Sequence, residues 1–235
     1  MARMPMFAPL AVLAFLGAGA GLFLMVIVFL FGVFSRKYTV AKIGASVALA
    51  GVIFYAVLLF SFSAASHEQT LAMGEHKYFC EVDCHIAYSV QSVTRQRSLG
   101  PASAPLDAAG VFYIVRLQTW FDPATISATR GDGPLMPSPH RAVIVDGAGR
   151  EYPSSCLALA ELGPDSAKTP LLTPLRPGES YVTDFVFDLP ATISNPRLLV
   201  KDDDFVTSFV IGHEDSPFHK KVLFALNPAN SATLR

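Results

Sequence analysis

The residue types best suited to chemistry stand together in the string Cys80-Glu81-Val82-Asp83-Cys84-His85. Thiols, carboxylates and an imidazole so close in sequence could hold a metal ion or a haem. The string is one residue longer than the Cys-x-x-Cys-His of covalent c-type haem attachment. A β-strand opens at once with Ile86, which leaves little room for a haem and its second axial ligand. Glu81, Asp83 and His85 would share one face of a regular strand. Neighbours two apart stand ~6.6 Å from each other, too far for all three to reach one ion at ~2 Å without a bulge. A solvated polar face is therefore the expectation, with no cofactor. A redox or metal-binding module on Cys80, Cys84 and His85, holding haem c or copper, is the alternative.

The Cys-x-x-x-Cys spacing also resembles the dinuclear copper site of oxidase subunit II, which shares an architecture of two helices and an outer β-domain. In that family the cysteines lie late in the domain, with a ligand His four residues after the second cysteine and a Met beyond. Here the cysteines open the domain, and positions 88 and 91 are Tyr and Gln. The set of soft ligands is incomplete. Asp202-Asp203-Asp204 reads as a turn, because no glycine or further acid is spaced as a calcium loop requires. Arg130-Gly131-Asp132 lies in a Gly and Pro loop, where a three-residue match carries little information. His140, His213 and His219 are scattered, with no hydrolase, zincin or phosphate-loop pattern near them. No catalytic constellation can be assembled, and an enzyme is not expected.

Cys80, Cys84 and Cys156 are the only cysteines. Regular extended spacing sets Cys80 and Cys84 about 13 Å apart, twice the ~6 Å between Cα atoms that a disulfide tolerates. Either one of them bridges to Cys156, or a turn at Glu81 to Asp83 brings the two together.

The elements that must carry these residues fall into two solvents. The 235 residues are 51% hydrophobic, and the excess is local: Met4 to Ser35 and Ile43 to Ser66 contain no charged residue, while every Asp and Glu lies at or after Glu68. Each run exceeds the roughly 20 residues that a helix needs to cross ~30 Å of hydrocarbon. Transmembrane helices are expected at 10–34 and 43–64. The first run is also longer than the roughly 7–15 residues of a cleaved signal's apolar region. Arg36, Lys37 and Lys42 lie in the connector 35–42, which by the positive-inside bias is cytoplasmic. Both termini are then expected on the outer, periplasmic side of a bacterial inner membrane. Neither span carries an acidic or basic residue, so an ion or proton path is not expected.

Small residues line both spans: Ala14, Gly17, Ala18 and Gly21 in the first, and Gly44, Ala48 and Gly51 in the second. Such faces allow close backbone approach in lipid. They serve either packing of the two helices on each other or a partner helix.

After a polar linker, 67–75, the segment 76–235 reads as strands separated by Gly and Pro clusters. Tyr78, Cys80, Val82, Cys84, Ile86, Tyr88 and Val90 share one parity. Tyr113, Val115, Leu117, Thr119 and Phe121 share another, and so do Tyr181, Thr183, Phe185, Phe187 and Leu189. A hairpin flanks Asp146-Gly147-Ala148-Gly149, and further strands are expected at 197–200, 205–211 and 218–226. Seven or so strands in this length imply an antiparallel two-sheet sandwich. The segment from 67 onward has 14 Lys and Arg against 19 Asp and Glu, a balance of −5, which makes nucleic acid a poor partner.

The order "GVFYIVRLQTWF", "RAVIVDGAGREYPSS", "LRPGESYVTDFVFDLPATISNPRLLV" resembles the telokin-like, immunoprotective-extracellular-protein-like family of bacterial domains, over about residues 85–200. That family has a "D-x-x-G-x-x-Y" hairpin, an "x-P-G-E" turn and a strand closing on "F-x-x-P". The resemblance implies an exported, non-enzymatic, immunoglobulin-type sandwich of unassigned role. The two membrane helices, the cysteine string and the extension after Lys201 depart from it.

Long connections at 99–110, 122–140 and 160–177 suit binding. The middle one presents Leu135 and Met136 on an apolar tip. The expected architecture is thus a two-helix membrane hairpin followed by an immunoglobulin-like β-sandwich. The expected role is that of an accessory subunit of an envelope membrane complex, such as a bioenergetic or photosynthetic assembly. Gly17, Gly21, Gly44, Ala48, Leu135 and Met136 would meet an integral membrane partner, and lipid would surround the helices.

Overall fold

The computed structural model describes residues 8–79, 85–202 and 205–226, with side chains from Leu10 onward. The chain divides into two compact units. Among the described residues, one unit holds 8–67 and 205–220, and the other holds 68–202 and 221–226.

The first unit is a helical hairpin, α1 (Ala8–Phe34) and α2 (Tyr38–Ala65). Both helices are long and apolar enough to cross a membrane. α2 starts five residues earlier than the charge pattern suggests, so the expected connector 35–42 shrinks to a tight turn. Ser35 N–H donates to Phe31 O, Arg36 N–H to Val33 O, and Val40 N–H to Lys37 O. Arg36 takes a left-handed φ of 55°, a conformation that usually falls to Gly at a helix end. So sharp a reversal presses the helices together at once. A Cβ on Gly32 would lie 2.5 Å from the Ala41 backbone nitrogen, so only glycine fits there.

The second unit is built of nine strands among the described residues. A five-stranded sheet has the order β1-β9-β8-β5-β6, from β1 (Gln69–Leu71), β5 (His140–Val145), β6 (Glu151–Pro153), β8 (Arg197–Asp202) and β9 (Val222–Ala225). A four-stranded sheet has the order β2-β3-β4-β7, from β2 (Lys77–Tyr78), β3 (Ile86–Leu99), β4 (Leu106–Phe121) and β7 (Ser180–Leu189). All neighbours are antiparallel except β1 and β9, which are parallel. One core joins the two sheets. Ile144, Leu198, Val200 and Phe224 from the first pack with Val90, Val115, Leu117 and Phe187 from the second, which makes the unit a β-sandwich. The period-2 pattern of β4 survives, with Tyr113, Val115, Leu117, Thr119 and Phe121 all buried. The outer face of the four-stranded sheet is also covered, by the short α3 (Cys156–Ala160), through Phe112, Ala158 and Val186.

Four expectations change. The linker 67–75 contains β1, whose Leu71 is fully buried, because β9 offers a free edge for it to pair. The connection 99–110 is short, since β4 begins at Leu106 and pairs back to Leu99. Gly110 makes this possible: a Cβ there would lie 2.2 Å from Leu189 O. Residues 205–211 are not a strand. Phe205–Phe209 forms a 3-10 helix in the helical unit, and only Val222–Ala225 of 218–226 pairs in the sheet.

Candidate functional site

The small residues of the helices separate into two groups. Gly44 lies in the α1–α2 seam, where an added Cβ would stand 3.2 Å from Phe29 N, 3.3 Å from Met25 O and 3.3 Å from Val28 Cγ1. Ala48, one turn on, is half-buried. Of the two uses open for these residues, packing within the hairpin is the one seen for Gly44. Around Gly17 and Gly21 nothing lies within 4 Å of an added Cβ, and Gly51 is equally open. Among the described residues, the N-terminal half of α1 therefore carries backbone that its own hairpin does not cover.

Leu135 is not an exposed tip. It exchanges backbone hydrogen bonds with Leu175, at 2.8 and 2.9 Å, and packs half-buried against the sandwich core. An apolar residue flanked by Gly and Pro escapes water by bridging to the neighbouring long loop. Met136, 64% exposed, is the part of the tip that faces solvent.

The residues that bracket the cysteine string are tied into the sandwich. Thr125 Oγ1 donates to Asp122 O (2.7 Å), so the 2.6 Å contact between His85 Nδ1 and Thr125 Oγ1 has the ring donating. His85 also stacks on Phe121 at 5.4 Å, and as a candidate metal ligand it has thus spent one ring nitrogen on the fold. Tyr78 OH donates to Asp122 Oδ2 at 2.7 Å. Burial first, then this bond and the carboxylate's charge, push the phenol up to about 12. Lys77 is buried, donating to Val200 O (2.7 Å) and Val222 O (3.1 Å) with its ammonium 4.7 Å from the Phe79 ring. Tyr88 OH contacts His140 Nδ1 at 3.2 Å. Burial, then Tyr181 and Asp202, push that phenol upward. This end of the domain can hold backbone in place, since its polar heads are engaged with carbonyls and with one another.

Cys80, Glu81, Asp83 and Cys84 lie outside the described residues, as do Asp203 and Asp204. Cys156 is a free, exposed thiol at the start of α3. The preceding Ser155 N–H donates to Val186 O. The pairings expected for Cys80 and Cys84, with Cys156 or with each other, fall on residues outside those described. Phe79 packs on Tyr88 and His140.

Two carboxylates organise the turns. Asp146 accepts from Arg150 N–H, Ala148 N–H, Arg150 Nε and Tyr152 OH. Led by the Arg150 backbone bond, these hold it at about 2 despite its burial. Asp184 is buried, which by itself raises its pKa. Arg116 Nε and Nη2 and the Ala167 N–H, each at 2.8 Å, outweigh this, and the carboxyl sits below its ordinary value. Arg130, of the Arg-Gly-Asp string, lies over the Phe121 ring and donates to Gly133 O at 2.7 Å, a loop brace. A shallow depression lined by Gln96, Gly100, Pro101 and Glu161 opens on the surface. Among the described residues no three His, Cys, Asp or Glu side chains gather in a metal-binding group.

No family model matches this chain, and no curated protein does. Among solved structures, an uncharacterized β-sandwich protein from Clostridium difficile aligns at 10% identity and a TM-score of 0.37, over 69% of this chain and 96% of its own. The yjhA protein from Bacillus subtilis aligns at 12% identity and a TM-score of 0.40, over 68% of this chain and all of its own.

Proposed function

We propose that the chain is a non-catalytic, membrane-anchored subunit that binds an integral membrane partner through α1 and presents its β-sandwich on the outer side of a bacterial inner membrane. The observation that carries this reading is the division of the glycines. Gly32 and Gly44 are used up by the hairpin, whereas Gly17 and Gly21 leave backbone open on the same apolar helix. In lipid such a groove favours a second helix, because hydrocarbon gains little from it and a facing backbone gains close packing. Arg36 and Lys37 at the turn, with Lys42 just inside α2, support a cytoplasmic hairpin end and outer termini. The exposed Met136 adds an outer contact, worth a few kcal/mol at most, so the helices carry most of the binding.

The sandwich is read as immunoglobulin-type on its strand order. β4, β5, β6, β7, β8 and β9 take the places of strands B, C, C′, E, F and G, with β9-β8-β5-β6 in one sheet and β4 beside β7 in the other. This supports the resemblance noted in the sequence over about 85–200, and β9 carries the same strand order into the rest of the expected domain, 76–235.

Native purification in several mild detergents tests the function. A defined membrane protein should travel with the chain. A lone monomer in every detergent would sink the subunit reading, and a haem or copper spectrum in the same sample would favour a redox module on Cys80, Cys84 and His85.

A further inference from the structure

We infer that the segment 205–219, the β8–β9 connection, is an interfacial membrane anchor whose phenylalanines enter the outer leaflet beside α2. The inference rests on the reading that α1 and α2 span the bilayer.

A connection between strands ordinarily turns its polar residues to water. Here the order is reversed. Phe205 is 75% exposed, Phe218 79%, Val206 49% and Phe209 43%, while Thr207 and Ser216 are buried and His213, Glu214 and Asp215 are half-buried. The segment belongs to the helical unit and follows α2 through specific contacts. Tyr55 OH donates to Phe209 O at 2.7 Å, Phe60 and Phe218 rings lie 5.9 Å apart, and Lys220 N–H donates to Ser66 Oγ at 2.8 Å. Its apolar side chains thereby continue the exposed apolar surface of Val57, Phe60 and Phe62.

The level is that of the outer leaflet. The span 43–64 has the basic cluster at its inner end, so its outer end is at Ala64. At ~1.5 Å per residue Tyr55 lies about 13 Å and Phe60 about 6 Å inside that outer end, and Ser66 lies just beyond it. Phe209, Phe218 and Lys220, which touch these three residues, therefore run from within the outer leaflet to its surface.

Irregular backbone survives at that level only where its polar groups are satisfied internally, and this segment meets the requirement repeatedly. Val210 N–H donates to Thr207 O, His213 N–H to Val210 O, Ser216 N–H to His213 O and His219 N–H to Ser216 O. Ser216 Oγ also donates to Val210 O at 2.6 Å. Outward phenylalanines, an internally bonded backbone and ties to the outer turns of α2 together fit lipid acyl chains as the occupant.

Trp120 is the only tryptophan, so it can be replaced by Phe and single probes introduced as Phe205→Trp, Phe209→Trp, Phe218→Trp and, as a control in α2, Phe54→Trp. The full chain is reconstituted in phosphatidylcholine vesicles with and without acyl-brominated phosphatidylcholine. The expected result is blue-shifted emission that the brominated lipid quenches at all four positions. Quenching at position 54 but at none of 205, 209 and 218 would overturn the anchor and leave the spanning reading intact. Unquenched emission at position 54 would overturn the spanning reading, and the anchor with it.

Discussion

Replacing glycine by leucine at two places on the hairpin should give effects of opposite sign. At Gly44 an added Cβ already lies 3.2 Å from Phe29 N and 3.3 Å from Met25 O, both backbone atoms of α1. The further carbons of leucine have nowhere to go unless the helices separate beyond the 8–10 Å of ordinary packing. Overpacking of this kind costs about 1–3 kcal/mol, of which the gain in helix propensity from Gly to Leu returns up to ~1. Gly44→Leu should therefore lower the thermal midpoint of the purified chain in mild detergent. At Gly17 and Gly21 nothing lies within 4 Å, so the double Leu variant should leave that midpoint unchanged or raised. Its cost should fall on the complex: a partner helix pushed out of the groove forfeits about 1–3 kcal/mol, or ~5–150-fold in affinity. Thermal midpoint and co-purification, measured on the same preparations, separate the two. A Gly17/Gly21 variant that melts early like Gly44→Leu would show that the groove is not open. One that melts normally yet keeps its partners would refute the partner surface on α1.

Leu135→Ala should cost about 1–2 kcal/mol of sandwich stability, whereas Met136→Asp should stay within ~0.5 kcal/mol in denaturant melts, so only the second variant tests the outer contact cleanly. Asp146 is held at about 2 in the folded chain against an ordinary value near 4. Its contribution is therefore complete above the ordinary value and lost as pH falls through about 2; Asp146→Asn should flatten the acid limb of a midpoint-against-pH curve, and an unchanged limb would contradict the assignment. Cys156 should alkylate in the folded, unreduced protein, and a Cys156 peptide found disulfide-bonded in non-reducing mapping would contradict its free, exposed thiol.

Sequence alone determined the division into an apolar hairpin and a β-rich domain, because charge is absent from two long runs and burial on one face of a strand writes itself as period 2. The inward parity of β4 was legible for that reason, since Tyr113, Val115 and Leu117 point to a core formed by elements far away in the chain. Tertiary structure decided what local pattern cannot encode. Leu71 and the short β1 read as linker until β9 supplies an edge, and strands of so few residues leave no period to detect. Gly44 and Gly17 look alike in sequence, yet only the first meets the other helix, because the tight turn at Arg36 presses the hairpin together at the end that holds the turn. Residues 205–211 carry enough apolar residues for a strand, but their place against α2, through Tyr55 and Phe60, turns them into an irregular segment of the helical unit. Contacts between residues 15 positions apart at Gly44, and more than 150 apart at Leu71 and Phe209, settle such choices, and these contacts exist only once the chain has folded.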